Sequence, residues 1–314
     1  MKTKVGKCFV ESNKKSIFAI SKITDNKLKQ LKVMENKKDY SKMSLAELLK
    51  LADVAYIGGI KHSTKMTYSY NHNVATYCIY LSPSDLAGKR YKTCPNDKYC
   101  RDLCLNGSGR NLGLTLADEN KMSVITKGRI KKTKLFYDNR ELFMEIVVRE
   151  IIRFKKYAEK RNMGFAVRLN GTSDLSPLLF QYKGKNILEL FPDVQFYDYT
   201  KVYSRISLPK KYKNYDLTLS YNGYNWNDCK DYLTKKGKVA VVFENNLPTL
   251  FHGFHVIDAN GYDMRYLDEP GTIMGLHYHR VANNYKNGRY VEPDTNFVVK
   301  ESNKHCVYNF DKEL

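Results

Sequence analysis

The pattern of apolar and polar positions changes character near residue 74. "VATYCIYLS" is a short run of β-formers ending at Pro83, which predicts a strand. "NRELFMEIVVREIIRFKKYAEKR" instead repeats Phe143, Val147, Ile151, Phe154 and Ala158 at helical spacing. Glu141 and Glu145 sit in its early turns, Lys160 and Arg161 close it, and Gly164 follows. Beyond it the chain alternates. "GFAVRLN", "DVQFYDYT", "YDLTLSYN", "KVAVVF", "FHVIDA" and "GTIMGLHYH" predict strands, and "LSPLLFQYKGKNILELF" and "WNDCKDYLTKKG" predict helical connections. Strands alternating with crossovers imply parallel β-α-β units, because parallel neighbours need a crossover where antiparallel ones need only a turn.

The pattern therefore predicts an α/β fold: a partial or closed (βα) barrel with mostly parallel strands over residues 66–280. A small α-rich extension, residues 1–65, precedes it, and in "SLAELLKLADVAY" Ser44 and Glu47 form a capping box. Residues 281–314 are read as a C-terminal extension.

In such barrels the functional residues gather at the C-terminal ends of the strands. After the first predicted strand comes "TCPNDKYCRDLC", followed by the Gly-rich "NGSGR". Cys94, Cys100 and Cys104 are separated by five and then three residues. Three thiolates on one loop can hold three irons of a four-iron cluster and leave the fourth iron open. Structural zinc would need a fourth ligand, which His62 or His72 supplies only if the loop folds back. After the second strand, Asn170, Gly171, Ser173 and Asp174 offer a close-approaching backbone, an amide, a hydroxyl and a carboxylate for a cofactor; the alternative is a helix cap at Asp174. Lys201 ends the third strand as a candidate catalytic residue facing the substrate, where a lysine can meet a phosphate or carboxylate. Asp258 and Asp263 lie in "DANGYDMRYLDE", as general bases or as a nucleophile. "HYH" places His277 and His279 on one strand face.

Composition adds a partner class. The 53 Lys and Arg against 33 Asp and Glu give a formal charge of +20, and 25 tyrosines supply flat faces for stacking. Nucleic acid or a nucleotide is the expected partner, although a Lys-, Asn- and Tyr-rich proteome would show the same bias. "KGRIKKTK", residues 127–134, is a candidate phosphate-contacting run. No apolar run approaches the roughly 18 residues of a membrane span, and no leader-like segment follows the basic start, so a cytoplasmic location is expected. The 7 cysteines are odd in number and mostly scattered, which argues against a disulfide framework.

Two resemblances follow from these motifs. The cysteine loop after the first strand, with "RLNGTSD" in place of a Gly-rich strand end, resembles radical S-adenosylmethionine enzymes, although their cysteine spacing is three then two and their Gly-Gly-Glu is absent here. That resemblance implies a 4Fe-4S cluster on Cys94, Cys100 and Cys104 and S-adenosylmethionine near Asn170–Asp174. Separately, "TCPNDKYCRDLC", "RLNGTSD", "FPDVQFYDYTK" and "VIDANGYDMRYLDEPGTIMGL" together resemble the gene product 88 family of phage and mobile-element proteins, which implies a phage origin and no particular activity. Three functions stay open at this point. One is an iron–sulfur enzyme modifying nucleic acid or a nucleotide. Another is a zinc-containing, base-exchanging transglycosylase-like enzyme, and the last is a zinc-stabilised nucleic-acid-binding protein without catalysis.

Overall fold

A computed structural model describes residues 39–104, 122–279 and 296–308, together with the backbone of 285–286 and 289–290. The segment "NGSGR" lies outside the described residues. The chain divides into two units at Met43/Ser44. In the first, the described residues form a 3-10 turn, Tyr40–Lys42, capped by the Asp39 carboxylate on the Ser41 amide. The sequence placed a boundary at 65, whereas everything from Ser44 onward belongs to the second unit.

The second unit opens with α1, Leu45–Leu51, whose Ser44/Glu47 capping box forms as the sequence predicts. Next come an edge strand β1, Gly58–Gly59, a helix α2, Thr64–Asn71, and β2, Val74–Ile79. Helices α3, Val124–Asp138, and α4, Arg140–Glu159, make the crossover to β3, Gly164–Arg168. The run "KGRIKKTK" lies within α3.

The segment predicted as a helical connection after β3 is mostly something else. A 3-10 turn, Pro177–Leu179, leads into the hairpin β4, Gln181–Tyr182, and β5, Lys185–Asn186, and only α5, Ile187–Leu190, is helical. The reason is local: Lys183 and Gly184 both have positive φ, 47° and 81°, the conformation a two-residue hairpin turn requires.

Strands β6, Gln195–Thr200, β7, Tyr215–Ser220, and β8, Lys238–Phe243, follow, with α6, Leu208–Lys211, and α7, Trp226–Thr234, between them. The chain closes with β9, Leu250–Phe251, β10, Phe254–Asp258, β11, Ile273–His277, the small hairpin β12, Tyr285–Lys286, and β13, Arg289–Tyr290, then β14, Val298–Val299, and β15, Cys306–Val307.

The main sheet runs β1-β2-β3-β6-β7-β8-β11-β10-β9-β15, with β14 on β8. From β2 to β10 every neighbouring pair is parallel. The fold is therefore a mixed α/β structure around a large, mostly parallel sheet. Closure into a barrel is not seen among the described residues. Antiparallel β1 caps the β2 edge, antiparallel β9 and β15 cap the β10 edge, and so the two ends of the parallel run do not pair. Residues 298–299 and 306–307, read from sequence as an extension, complete this sheet.

The two faces differ in chemistry. Tyr77 and Val167, in register, belong to the face on which α4 packs: the Tyr77 hydroxyl donates to Glu150 at 2.7 Å. On the opposite face Cys78 and Arg168 are in register, Tyr199 faces Thr218, and Lys238 donates to Asp216 at 2.7 Å. Parallel sheets are ordinarily apolar on both sides. Here the β10–β11 connection covers the polar side, delivering Asp263 to Arg168 and the fully buried Arg265 to Asp268 and the Met274 sulfur.

Candidate functional site at the C-terminal rim

The cysteine loop is built by local hydrogen bonds and fastened to three strand ends. Thr93 donates from its amide to Ser84 O and from its hydroxyl to Ser82 O, which closes the loop on the end of β2. The Ser84 amide donates to the Cys94 sulfur at 3.3 Å. Asp97 is the hub. Its buried carboxylate accepts from the Ser84 hydroxyl and pairs with Lys92 and Arg101, while its carbonyl accepts the amides of Cys100 and Arg101. Burial would raise the Asp97 carboxyl, but Ser84, Lys92 and Arg101 outweigh it and hold it below the usual range. The Asp174 amide donates to Thr93 O at 2.9 Å, and the Asn96 side chain donates to Lys201 O at 2.9 Å, joining the loop to the ends of β3 and β6.

The residues after β3 are occupied with one another. Asn170 receives its geometry from Asp198: its amide donates to one carboxylate oxygen at 2.8 Å and its side-chain nitrogen to the other at 3.1 Å. Its side-chain oxygen accepts from Ser173 and from the Leu175 amide, each at 2.8 Å. Asp174 accepts from the Thr200 hydroxyl, the Lys201 amide and Arg205. Gly171 answers a packing demand, because a Cβ there would stand 2.6 Å from the Tyr80 ring and 2.9 Å from the Cys78 sulfur. At Asp174 the structure shows neither a free carboxylate nor the alternative helix cap, but a knot linking β3, β6 and Arg205.

Burial pushes the Asp198 carboxyl up to about 7 despite the opposing charge of Arg168 and the two Asn170 hydrogen bonds. An unfolded aspartate titrates near 4, so between about 4 and about 7 the folded state holds the extra proton, and stability falls as pH rises through that window. The unfolding free energy of wild type relative to an Asp198→Asn variant is therefore expected to decline from about pH 4 to about pH 7 and then level off. Urea titrations at a series of pH values check this, and a pH-independent difference contradicts it.

Lys201 extends from this knot toward the loop. Burial opposes its charge, but Cys100, Asp174, Cys94 and Cys104 outweigh burial, and its pKa moves upward. Burial pushes the Cys94 thiol up to about 11. Among the described residues no three His, Cys, Asp or Glu side chains are arranged as a ready-made metal ligand set. The loop nonetheless carries three sulfurs, with a backbone N–H donating to that of Cys94 and the charges of all three cysteines raising the Lys201 pKa.

The aspartates read from sequence as catalytic are elsewhere. Asp263 is buried, paired with Arg168, accepting from the Tyr199 hydroxyl at 3.1 Å and lying 3.9 Å from the Lys65 nitrogen. Asp258 is exposed at the end of β10 and accepts from the Asn260 amide and side chain. His277 and His279 are both exposed. The structure thus brings Asp174 and Lys201 to the cysteine loop and puts Asp263 in a separate ion-pair cluster on the polar face. Sequence reasoning passed over Asp97, Asp198 and Arg205; only Asp97, inside the cysteine motif, carried a local signal.

The family profile described as Gene product 88 matches residues 34–293. The chain belongs to the gene product 88 family. The matched span holds the cysteine loop, the Asn170–Asp174 knot, Lys201 and the β10–β11 connection. No curated protein and no solved structure matches the chain. No helix among the described residues of this family member is long and apolar enough to cross a membrane.

Proposed function

We propose that this gene product 88 protein is an enzyme that modifies nucleic acid or a nucleotide. Its active site is the C-terminal rim of the parallel sheet, with Cys94, Cys100 and Cys104 as ligands of an iron–sulfur cluster. The observation that carries the proposal is the attachment of the cysteine loop to the ends of β2, β3 and β6, through Thr93 on Ser84 O, the Asp174 amide on Thr93 O and Asn96 on Lys201 O, and the charges of the three cysteines raise the Lys201 pKa. The sequential order β2-β3-β6-β7-β8 supports a partial (βα) barrel, the frame on which a rim of this kind is expected to be catalytic.

When bound, a 4Fe-4S cluster would supply one-electron chemistry. Lys201 offsets the negative charge of the thiolates, and Asp97 fixes the turn that carries Cys100. As a co-substrate, S-adenosylmethionine would be held by backbone groups of the rim and by Lys201, because the side-chain atoms of Asn170 and Asp174 are already engaged. A base-exchange reaction at Asp263 has less support, since that carboxylate is committed to Arg168 and Tyr199.

The test is anaerobic reconstitution with iron and sulfide, followed by incubation with S-adenosylmethionine and a one-electron reductant. Formation of 5′-deoxyadenosine by wild type, lost in a Cys94→Ala variant, is the expected result. A protein that takes up zinc and no iron would favour the transglycosylase-like or binding-only reading instead.

A further inference from the structure

The same rim carries an aromatic feature that the cluster does not need. Tyr99 stands inside the cysteine loop, one residue before Cys100, and Tyr224 stands in the loop between β7 and α7. Their ring centroids are 4.1 Å apart with planes inclined by 32°. Tyr224 is 55% exposed, although burying an aromatic ring is favourable and Tyr224 belongs to a tightly fixed turn.

That turn is held by a reciprocal pair of asparagines. The Asn222 amide donates to the Asn225 side chain at 2.8 Å, and the Asn222 side chain accepts from the amides of Tyr224 and Asn225 at 2.9 and 3.0 Å. Gly223 takes φ +93°, and a Cβ there would stand 2.5 Å from the Asn296 carbonyl carbon, so the incoming 296–297 segment braces the turn from behind. Phe297 of that segment lies with its ring centre 5.5 Å from the nitrogen of Lys201, the residue whose carbonyl accepts from Asn96 of the cysteine loop.

One cation lies against the pair. The Lys98 nitrogen is 5.0 Å from the Tyr99 ring centre. Lys89 and Lys92 are exposed on the approach to the loop, and Lys127 and Lys134 are exposed on α3, whose Tyr137 hydroxyl donates to Lys92 O. Flat rings held out by a rigid turn beside exposed lysines are what an unpaired base and its phosphates require: stacking that tolerates any base, and charge that follows the backbone.

We propose that Tyr224 and Tyr99 form a stacking platform for an unpaired base of a single-stranded nucleic acid, holding that base at the rim beside the cysteine loop. The proposal deepens the reading given under the proposed function, by naming single strands as the substrate class.

Fluorescence anisotropy with labelled single-stranded oligonucleotides of about ten nucleotides, DNA and RNA, tests it on the full-length protein. Tyr224→Ala is expected to weaken binding by about tenfold, and Tyr224→Leu by nearly as much, while Tyr224→Phe retains wild-type affinity. The salt dependence stays unchanged in all three, because stacking releases no counterions, whereas Lys98→Ala reduces the salt slope. A duplex of the same sequence binds more weakly, since its bases are already stacked, and the DNA and RNA arms show which sugar is preferred.

Absence of binding by wild type at low salt overturns the proposal. So does unaltered affinity in Tyr224→Ala, or equal binding of an abasic strand. These outcomes are independent of the metal: a protein that binds iron but not single strands loses the platform alone, and one that stacks bases but binds no iron loses the iron–sulfur reading alone.

Discussion

Urea denaturation of a Glu150→Ala variant is expected to show a loss of on the order of 5 kcal/mol, enough to leave much of the protein unfolded before denaturant is added. Glu150 lies on the apolar side of α4 and is fully buried. Its carboxylate accepts from the Ile57 amide at 3.1 Å, the Gly58 amide at 2.9 Å and the Tyr77 hydroxyl at 2.7 Å. Burial pushes its pKa up while these donors oppose the shift, and the net direction is upward. Alanine would strand three buried donors, each costing about 1–3 kcal/mol. The neighbourhood has little room to adapt, because a Cβ on Gly58 would stand 2.4 Å from the Tyr77 ring. Glu150→Gln should cost less, about 2 kcal/mol, since one oxygen still accepts while its new N–H₂ meets a donor, and Tyr77→Phe should cost about 1 kcal/mol. An alanine variant within about 1 kcal/mol of wild type would show that β1 is not anchored in this way.

The second large effect concerns Asp263. Its replacement by alanine leaves the Arg168 guanidinium, the Lys65 ammonium and the Tyr199 hydroxyl without their shared acceptor, at an expected cost of about 3–5 kcal/mol. Arg168→Met should be costly for the mirror reason, a buried carboxylate losing its main partner. The double variant Arg168→Met/Asp263→Leu, which removes both charges at similar volume, is expected to recover most of the loss, as buried ion pairs replaced together often do. Chemical denaturation of wild type, Asp263→Leu, Arg168→Met and the double variant forms a double-mutant cycle with a large favourable coupling. If instead the double variant is as unstable as the sum of the singles, the ion pair is not what fixes the β10–β11 connection.

Much of the fold was legible because its signals are local. The strands β2, β3, β6, β7 and β8 fall within the predicted runs, and α4 within the predicted helix, because β-branched and aromatic runs and a five-residue apolar stripe need no distant partner to declare themselves. The order of strands was not legible. Strand β11 inserts between β8 and β10, and two-residue strands near residues 298 and 306 exist only through their pairing to β8 and β9. Glu150 shows the same divide: the helical pattern places it in a long amphipathic helix but cannot say that its carboxylate holds a strand 92 residues earlier.

The site divides in the same way. The cysteine spacing and the clustering of polar residues after strands are visible in the chain. The assignment of Asn170 and Asp174 to a ligand rested on their side chains being free, and partners from β6 and the following turn occupy them. Lys65 meets Ala259 O across 194 residues of sequence, and no window of the chain contains that contact.

The central claim is that Cys94, Cys100 and Cys104 hold an inorganic centre at this rim, and metal content tests it most directly. Iron, acid-labile sulfide and zinc should be measured on protein purified without air, for wild type and for the Cys94→Ala, Cys100→Ala and Cys104→Ala variants. The account predicts iron and sulfide in equal amounts in wild type, with a brown visible absorption, and their loss in each variant while the fold persists by circular dichroism. A wild-type protein without iron or sulfide after reconstitution, or variants that retain both, would contradict it.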